Sequence, residues 1–232
     1  FALPFGDPSH AGIEPSREQR AALGAPFRQH LALPCGVSRL AALDEFPSQA
    51  YWDDGAEELQ ATGAAARPLT SGLLGVSRLV KLAAPALTEA LTQARVNAKE
   101  TPAITLLQAV PPARRPERDE RIEELFPRRL ERLCGMAKGQ LHCRFVDQGH
   151  TGTVAALAEA AELLAQNGLG EVVVGGVDSL VEPSTLQWLE QVGRLKAGTR
   201  VDGLLPGEAA GYLVVETPEQ AARRRKPVLA FL

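Results

Sequence analysis

The chain has 232 residues, a formal net charge of −3, 45% hydrophobic residues and 23% charged ones, ordinary values for a folded protein with a sizeable core. That charge gives no general attraction to nucleic acid or to an anionic membrane surface, and no apolar run of about 18 residues marks a membrane-inserted helix. The three cysteines, Cys35, Cys134 and Cys143, form no Cys-x-x-Cys pair, so they read as reduced thiols of a cytoplasmic protein without a structural metal site; no motif calls for a cofactor.

Residues 1–70 are the least legible part, with scattered Pro and Gly, Trp52 beside Asp53 and Asp54, and a short helical stretch over Arg17–Leu23. No clear first strand is visible there: either Phe1–Phe5 is its remnant or the strand precedes the first residue. Leu73–Ala94 reads as an amphipathic helix, with Leu74, Val76, Leu79, Val80, Leu82, Leu87, Leu91 and Ala94 near helical spacing and Pro85 as a local break or kink. Ala103–Val110 predicts a strand ended by Pro111 and Pro112. Arg114–Arg132 is dense in both charges and predicts a solvated helix with internal ion pairs.

Leu141, Cys143 and Phe145 alternate with His142, Arg144 and Val146, the two-residue period of a strand, and place Cys143 in a packing role. Gly149 and Gly152 bracket His150 and Thr151, a sharp turn. A helix follows from about Thr153 to Gln166, apolar nearly all round except at Glu159 and Glu162. Glu171–Val174 is then a short apolar strand of the kind buried in a parallel sheet, expected beside 141–146. A strand-to-helix elbow of this kind presents His150 where backbone N–H groups without intrahelical partners face a developing negative charge. Farther on, Ser184–Leu195 predicts a helix carrying Trp188 and Leu189, Ala210–Glu216 a strand, Pro218–Arg225 a short helix, and Val228–Leu232 the start of another strand. The basic end, Arg223 to Lys226, is accounted for by the helix C-terminus without a phosphate.

Two runs carry a resemblance to a known family. The first is Gly149-His150-Thr151-Gly152, a small-residue helix, then Gly175-Gly176-Val177-Asp178. The second is Asp202-Gly203-Leu204-Leu205-Pro206-Gly207-Glu208-Ala209-Ala210-Gly211 with the strand after it. Together they resemble the β-ketoacyl-acyl-carrier-protein synthases of the thiolase superfamily, firmly over 140–232 and more weakly over 70–139. The resemblance implies an α/β, thiolase-like fold: the N-terminal half, a mixed five-stranded sheet covered by helices, over 71–226, with 1–70 belonging to the same domain and 227–232 opening a second half absent from the chain. It also places His150 on the family's nucleophilic cysteine.

That exchange divides the functional readings. The resemblance implies first a non-condensing synthase-like subunit or scaffold of fatty acid or polyketide metabolism, a homodimer through Leu141–Val146, with an acyl-carrier protein or acyl thioester as partner and the charged stretch 114–132 as a docking surface for the carrier. The alternative is a His150-dependent acyltransferase or thioester-processing enzyme, since imidazole serves as general base or nucleophile. A Ser/Thr hydrolase would instead pair His150 with Thr151 or Ser179 and with Asp147 or Asp178, although no Gly-x-Ser-x-Gly run is present. Glu208 and Asp202 read as structural carboxylates, and Gly175, Gly176, Gly207 and Gly211 as points of close backbone approach.

Overall fold

The computed structural model describes residues 40–43, 61–97, 100–116, 118–166, 169–196, 202–224 and 228–230, all within the unit Arg39–Leu232. In chain order the elements are β1 (Ala41–Ala42), β2 (Thr62–Gly63), α1 (Arg67–Thr70), α2 (Gly75–Gln93), β3 (Ile104–Ala109), α3 (Ile122–Leu133), β4 (Leu141–Val146), α4 (Gly152–Gln166), β5 (Glu171–Ser179), α5 (Pro183–Gln191), β6 (Glu208–Glu216) and α6 (Pro218–Arg224). The helix expected at Arg17–Leu23, the strand at Phe1–Phe5, Trp52 and Cys35 lie outside the described residues.

The sheet is α/β and mixed, in the order β4-β3-β5-β6, with β4, β3 and β5 parallel and β6 antiparallel to β5. Four strands are in it among the described residues. One expectation is corrected here: the strands at 141–146 and 171–175 are not adjacent, because β3 lies between them. Burial explains the order. In β3, Leu106, Leu107 and Gln108 are all fully buried, so both faces need cover and the strand belongs inside the sheet. β4 alternates, with His142 and Arg144 exposed, which suits an edge.

Helices cover both faces. On one, α2 and α3 pack Val76, Leu79, Val80, Leu87, Ile122, Phe126 and Leu130 against Ile104, Leu106, Leu141, Val173 and Val177. On the other, α4 sets Ala156 and Ala160 on Leu107, Val146, Val172 and Val174. Cys143 and Phe145 pack at the margin of the first cluster as their strand period requires, and the Phe145 ring meets Phe126 edge to face at 6.1 Å. Pro85 does not break α2, which runs unbroken from Gly75 to Gln93; burial of apolar residues on both sides of the proline holds the helix across its missing N–H. Val228, Leu229 and Ala230 are exposed and take no strand conformation, against the expected strand.

Strand β5 extends past its apolar run to Ser179 because Gly175 and Gly176 pair with Tyr212 and Gly211 of β6. A Cβ on Gly175 would stand 2.1 Å from two carbons of the Tyr212 ring, and that ring is held by its hydroxyl, which donates to Gln108 Oε1 at 2.7 Å. Gly175→Ala should therefore lower stability by about 1–3 kcal/mol, the range for forcing a methyl into a packed core. Urea unfolding measures it, and an unchanged midpoint would show that the ring is not fixed over the glycine.

Candidate functional site

The elbow is built by three close approaches. After Val146 the chain passes through Asp147 and Gln148, makes one 3-10 turn over Gly149–Thr151 and continues directly into α4. Gly149 has φ +57°, left-handed backbone that a side chain disfavours. A Cβ on Gly152 would stand 3.0 Å from the Ala109 Cβ and 3.4 Å from the Val146 carbonyl, and one on Gly176 would stand 2.6 Å from Thr153 Oγ1. Glycine at both positions lets the first turn of α4 close against β3 and β5.

His150 is exposed at the start of this helical run. The Thr151 N–H donates to Gln148 O at 3.3 Å, the Thr151 hydroxyl to the same carbonyl at 2.9 Å, and the Gly152 N–H to Gly149 O. The N–H groups of Gly149 and His150 make no bond inside the turn, and the helix end adds a positive potential there. The arrangement can hold an anionic or carbonyl oxygen beside an accessible imidazole.

One wall of the elbow comes from 111–116, after β3. Pro112 lies 3.8 Å from where a Gly149 Cβ would stand. The Ala113 N–H donates to both oxygens of Asp147, at 3.0 and 3.1 Å. Arg115 forms a two-pronged pair with Asp178, with Nη2 to Oδ2 at 2.7 Å.

The second motif forms a separate, buried assembly. The Glu208 carboxylate, with its side chain fully buried, accepts from Arg78 Nε at 2.6 Å and Nη2 at 3.1 Å, from the Ala66 N–H at 2.8 Å, from the Thr70 hydroxyl at 2.7 Å and from the Ser179 hydroxyl at 2.9 Å. Burial works to raise its pKa, but the bonds from Arg78, Thr70, Ala66 and Ser179 together hold it below the usual carboxylate value. Around it, the Ala64 N–H donates to Pro206 O and the Glu208 N–H to Ala64 O, so 61–70 packs on the Gly-rich run. These partners lie just before and within α1, in α2 and at the end of β5, none of them in the Gly-rich run itself. Asp202 is exposed.

The residues named for a hydrolase are not assembled around His150. Asp147 serves Ala113, Asp178 serves Arg115, the Ser179 hydroxyl serves Glu208 and the Thr151 hydroxyl serves Gln148. Neither described thiol is at the elbow. Burial, with the Glu123 charge second, pushes the Cys143 thiol up to about 12; burial also raises Cys134, against a hydrogen bond from Thr88.

At the basic end, Arg224 pairs with Glu171 and Glu216 and donates to Ala94 O. In the charged stretch the helix starts only at Ile122 and buries Ile122, Phe126 and Leu130, against the solvated helix expected over 114–132, while on its outer side Arg128 and Arg121 pair with Glu124. Arg78, Thr70 and Arg115 escaped sequence reasoning as site-building residues; the available signal was an Arg at 78 among the apolar positions of an amphipathic helix.

No described helix is long and apolar enough to cross a membrane. No protein-family model matches the chain, and no curated protein matches it. Among solved structures it is similar to the ketosynthase from module 6 of the bacillaene synthase from Bacillus subtilis 168, with 16% identity and a TM-score of 0.49 over 65% of this chain and 29% of that one. It is also similar to MvaS in complex with 3-hydroxy-3-methylglutaryl coenzyme A, at 16% identity and a TM-score of 0.42 over 60% of this chain and 28% of that one. A fungal type III polyketide synthase, ORAS, follows at 17% and 0.41 over 68% of this chain and 45% of that one. The chain thus spans less than a third of the bacillaene ketosynthase's length.

Proposed function

We propose that the chain is a β-ketoacyl synthase-like protein that keeps the elbow without the condensing cysteine and acts as a non-condensing subunit or scaffold in acyl-chain metabolism. The observation that carries this reading is the position of His150: the exposed residue at the start of the helical run is an imidazole. The nearest thiol in sequence, Cys143, is held protonated by burial at the margin of the core. In this reading the partner is an acyl-carrier protein or acyl thioester in the cytoplasm. The chain pairs with a second copy through β4, which has a partner strand on one side only among the described residues.

The second reading, acyl transfer by His150, is favoured by the exposure of the imidazole next to the Gly149 and His150 N–H groups, which have no acceptor within the turn. Acyl-thioester hydrolysis and transfer assays separate the two. The scaffold reading expects no turnover above that of His150→Ala. Acyl transfer expects turnover that falls at least about 100-fold in His150→Ala, the scale of losing a general base or nucleophile, and that result would replace the first reading by the second.

A further inference from the structure

A cavity of about 40 Å³, open to solvent, lies between the start of α2, the segment 111–122 and the start of α5. That is room for about three water molecules, or for one small oxyanion. Four charged side chains line it, Arg115, Arg118, Asp119 and Glu182, and three of them are committed. Arg115 holds Asp178 with both prongs. Glu182 Oε2 accepts the Gly75 N–H at 2.9 Å at the start of α2, and Asp119 Oδ1 accepts the Arg121 N–H at 2.9 Å just before α3. Each of these carboxylates thereby faces the positive end of a helix. Arg118 is the exception. Its side chain is 11% exposed, yet among the described residues its guanidinium makes one hydrogen bond, from Nε to Pro111 O at 2.8 Å. The carboxylate nearest to it, Glu123, is itself exposed and stands 4.0 Å away.

A second group points the same way. Thr185, in the first turn of α5, is 4% exposed and lines the cavity. Its hydroxyl has no hydrogen-bond partner among the described residues and is not sealed in the core, so it gives onto the cavity. Buried polar groups are nearly always hydrogen-bonded and buried charges paired, and here a cation and a hydroxyl on one cavity both lack an acceptor. We propose that this cavity binds a small oxyanion of phosphate size, held by the Arg118 guanidinium and the Thr185 hydroxyl. Arg118 keeps the N–H donors of both terminal amino groups for it, and a hydrogen bond between ions is the strong kind. The start of α5 adds a favourable potential. The site does not involve His150, so it stands or falls apart from the reading of the elbow.

The experiment is equilibrium dialysis of the full chain against radiolabelled inorganic phosphate at constant ionic strength. One phosphate should bind per chain, saturably. Arg118→Met should weaken binding at least about tenfold, the scale of a hydrogen bond to a charged group, and Thr185→Val about threefold, the scale of a neutral one. Thr185→Ser, which keeps the hydroxyl, should bind as the native chain does. Arg128→Met removes an equal charge from the outer side of α3, where Arg128 pairs with Glu124, and should leave the affinity unchanged. Urea unfolding without phosphate shows which variants are folded. Absence of saturable binding at one equivalent would mean an adventitious ion only and would overturn the proposal. So would an equal loss in Arg128→Met, or native affinity in folded Arg118→Met or Thr185→Val. If Arg118→Met does not fold, the comparison of Thr185→Val with Thr185→Ser decides alone.

Discussion

Replacing Arg78 by Ala should lower the unfolding free energy by about 3–5 kcal/mol, the cost of leaving one member of a buried ion pair without the other. The Glu208 carboxylate would stay fully buried and keep only neutral donors, Ala66, Thr70 and Ser179. That cost is a large part of the marginal stability of a domain. The pH dependence follows from the same group. Because the folded pKa of Glu208 lies below its unfolded value, its contribution is fully present above the unfolded carboxylate value, about 4.3. It is lost as pH falls through the lower folded value. Through this group the urea midpoint of the native chain should drop in the acid range, and in Arg78→Ala, where burial lifts the folded value toward or past the unfolded one, that drop should shrink or reverse. A variant within about 1 kcal/mol of the native chain, an ordinary surface effect, would show that the carboxylate is not held by the guanidinium.

The second large effect is chemical. In His150→Cys the new thiol would stand at the start of a 15-residue helix, where the local potential lowers a thiol pKa to about 7 or below. Cys143, pushed up to about 12, is almost wholly protonated at neutral pH. Alkylation at position 150 should then be at least about 1000-fold faster than at Cys143, a ratio set by the two thiolate fractions. Peptide-resolved labelling with iodoacetamide measures it, and comparable rates at the two positions would mean that residue 150 does not occupy an accessible helix end.

Much of the elbow was legible because it is local. The alternation over 141–146, the glycines at 149 and 152 and the Ala/Leu helix act through neighbours in the chain, and the structure places β4 and α4 at these positions. The order of the sheet was not legible in the same way. That Ile104–Ala109 lies between the strands flanking the elbow depends on which strand needs cover on both faces, and the mostly apolar run Ile-Thr-Leu-Leu-Gln-Ala shows this only when compared with the polar alternation of β4. The long-range polar contacts were least legible. Glu208 stands out in the chain only as a carboxylate in a Gly-rich run, whereas its partners include Ala66, Thr70 and Arg78, 142, 138 and 130 positions away. An Arg on the buried stripe of α2 demands an acid, but nothing in the spacing of the chain says which one.

The central proposal is that the elbow keeps the place of the condensing thiol, with His150 standing there. Its most direct test is the intact mass of folded His150→Cys after incubation with an acyl thioester, followed by peptide mapping. The reaction is attack of the thiolate on the thioester carbonyl with release of the donor thiol, so the mass rises by one acyl group. The account predicts that this group is found on the peptide containing position 150 and is absent from the same peptide of the native chain. A folded His150→Cys protein that alkylates rapidly at position 150 yet takes no acyl group there would contradict it.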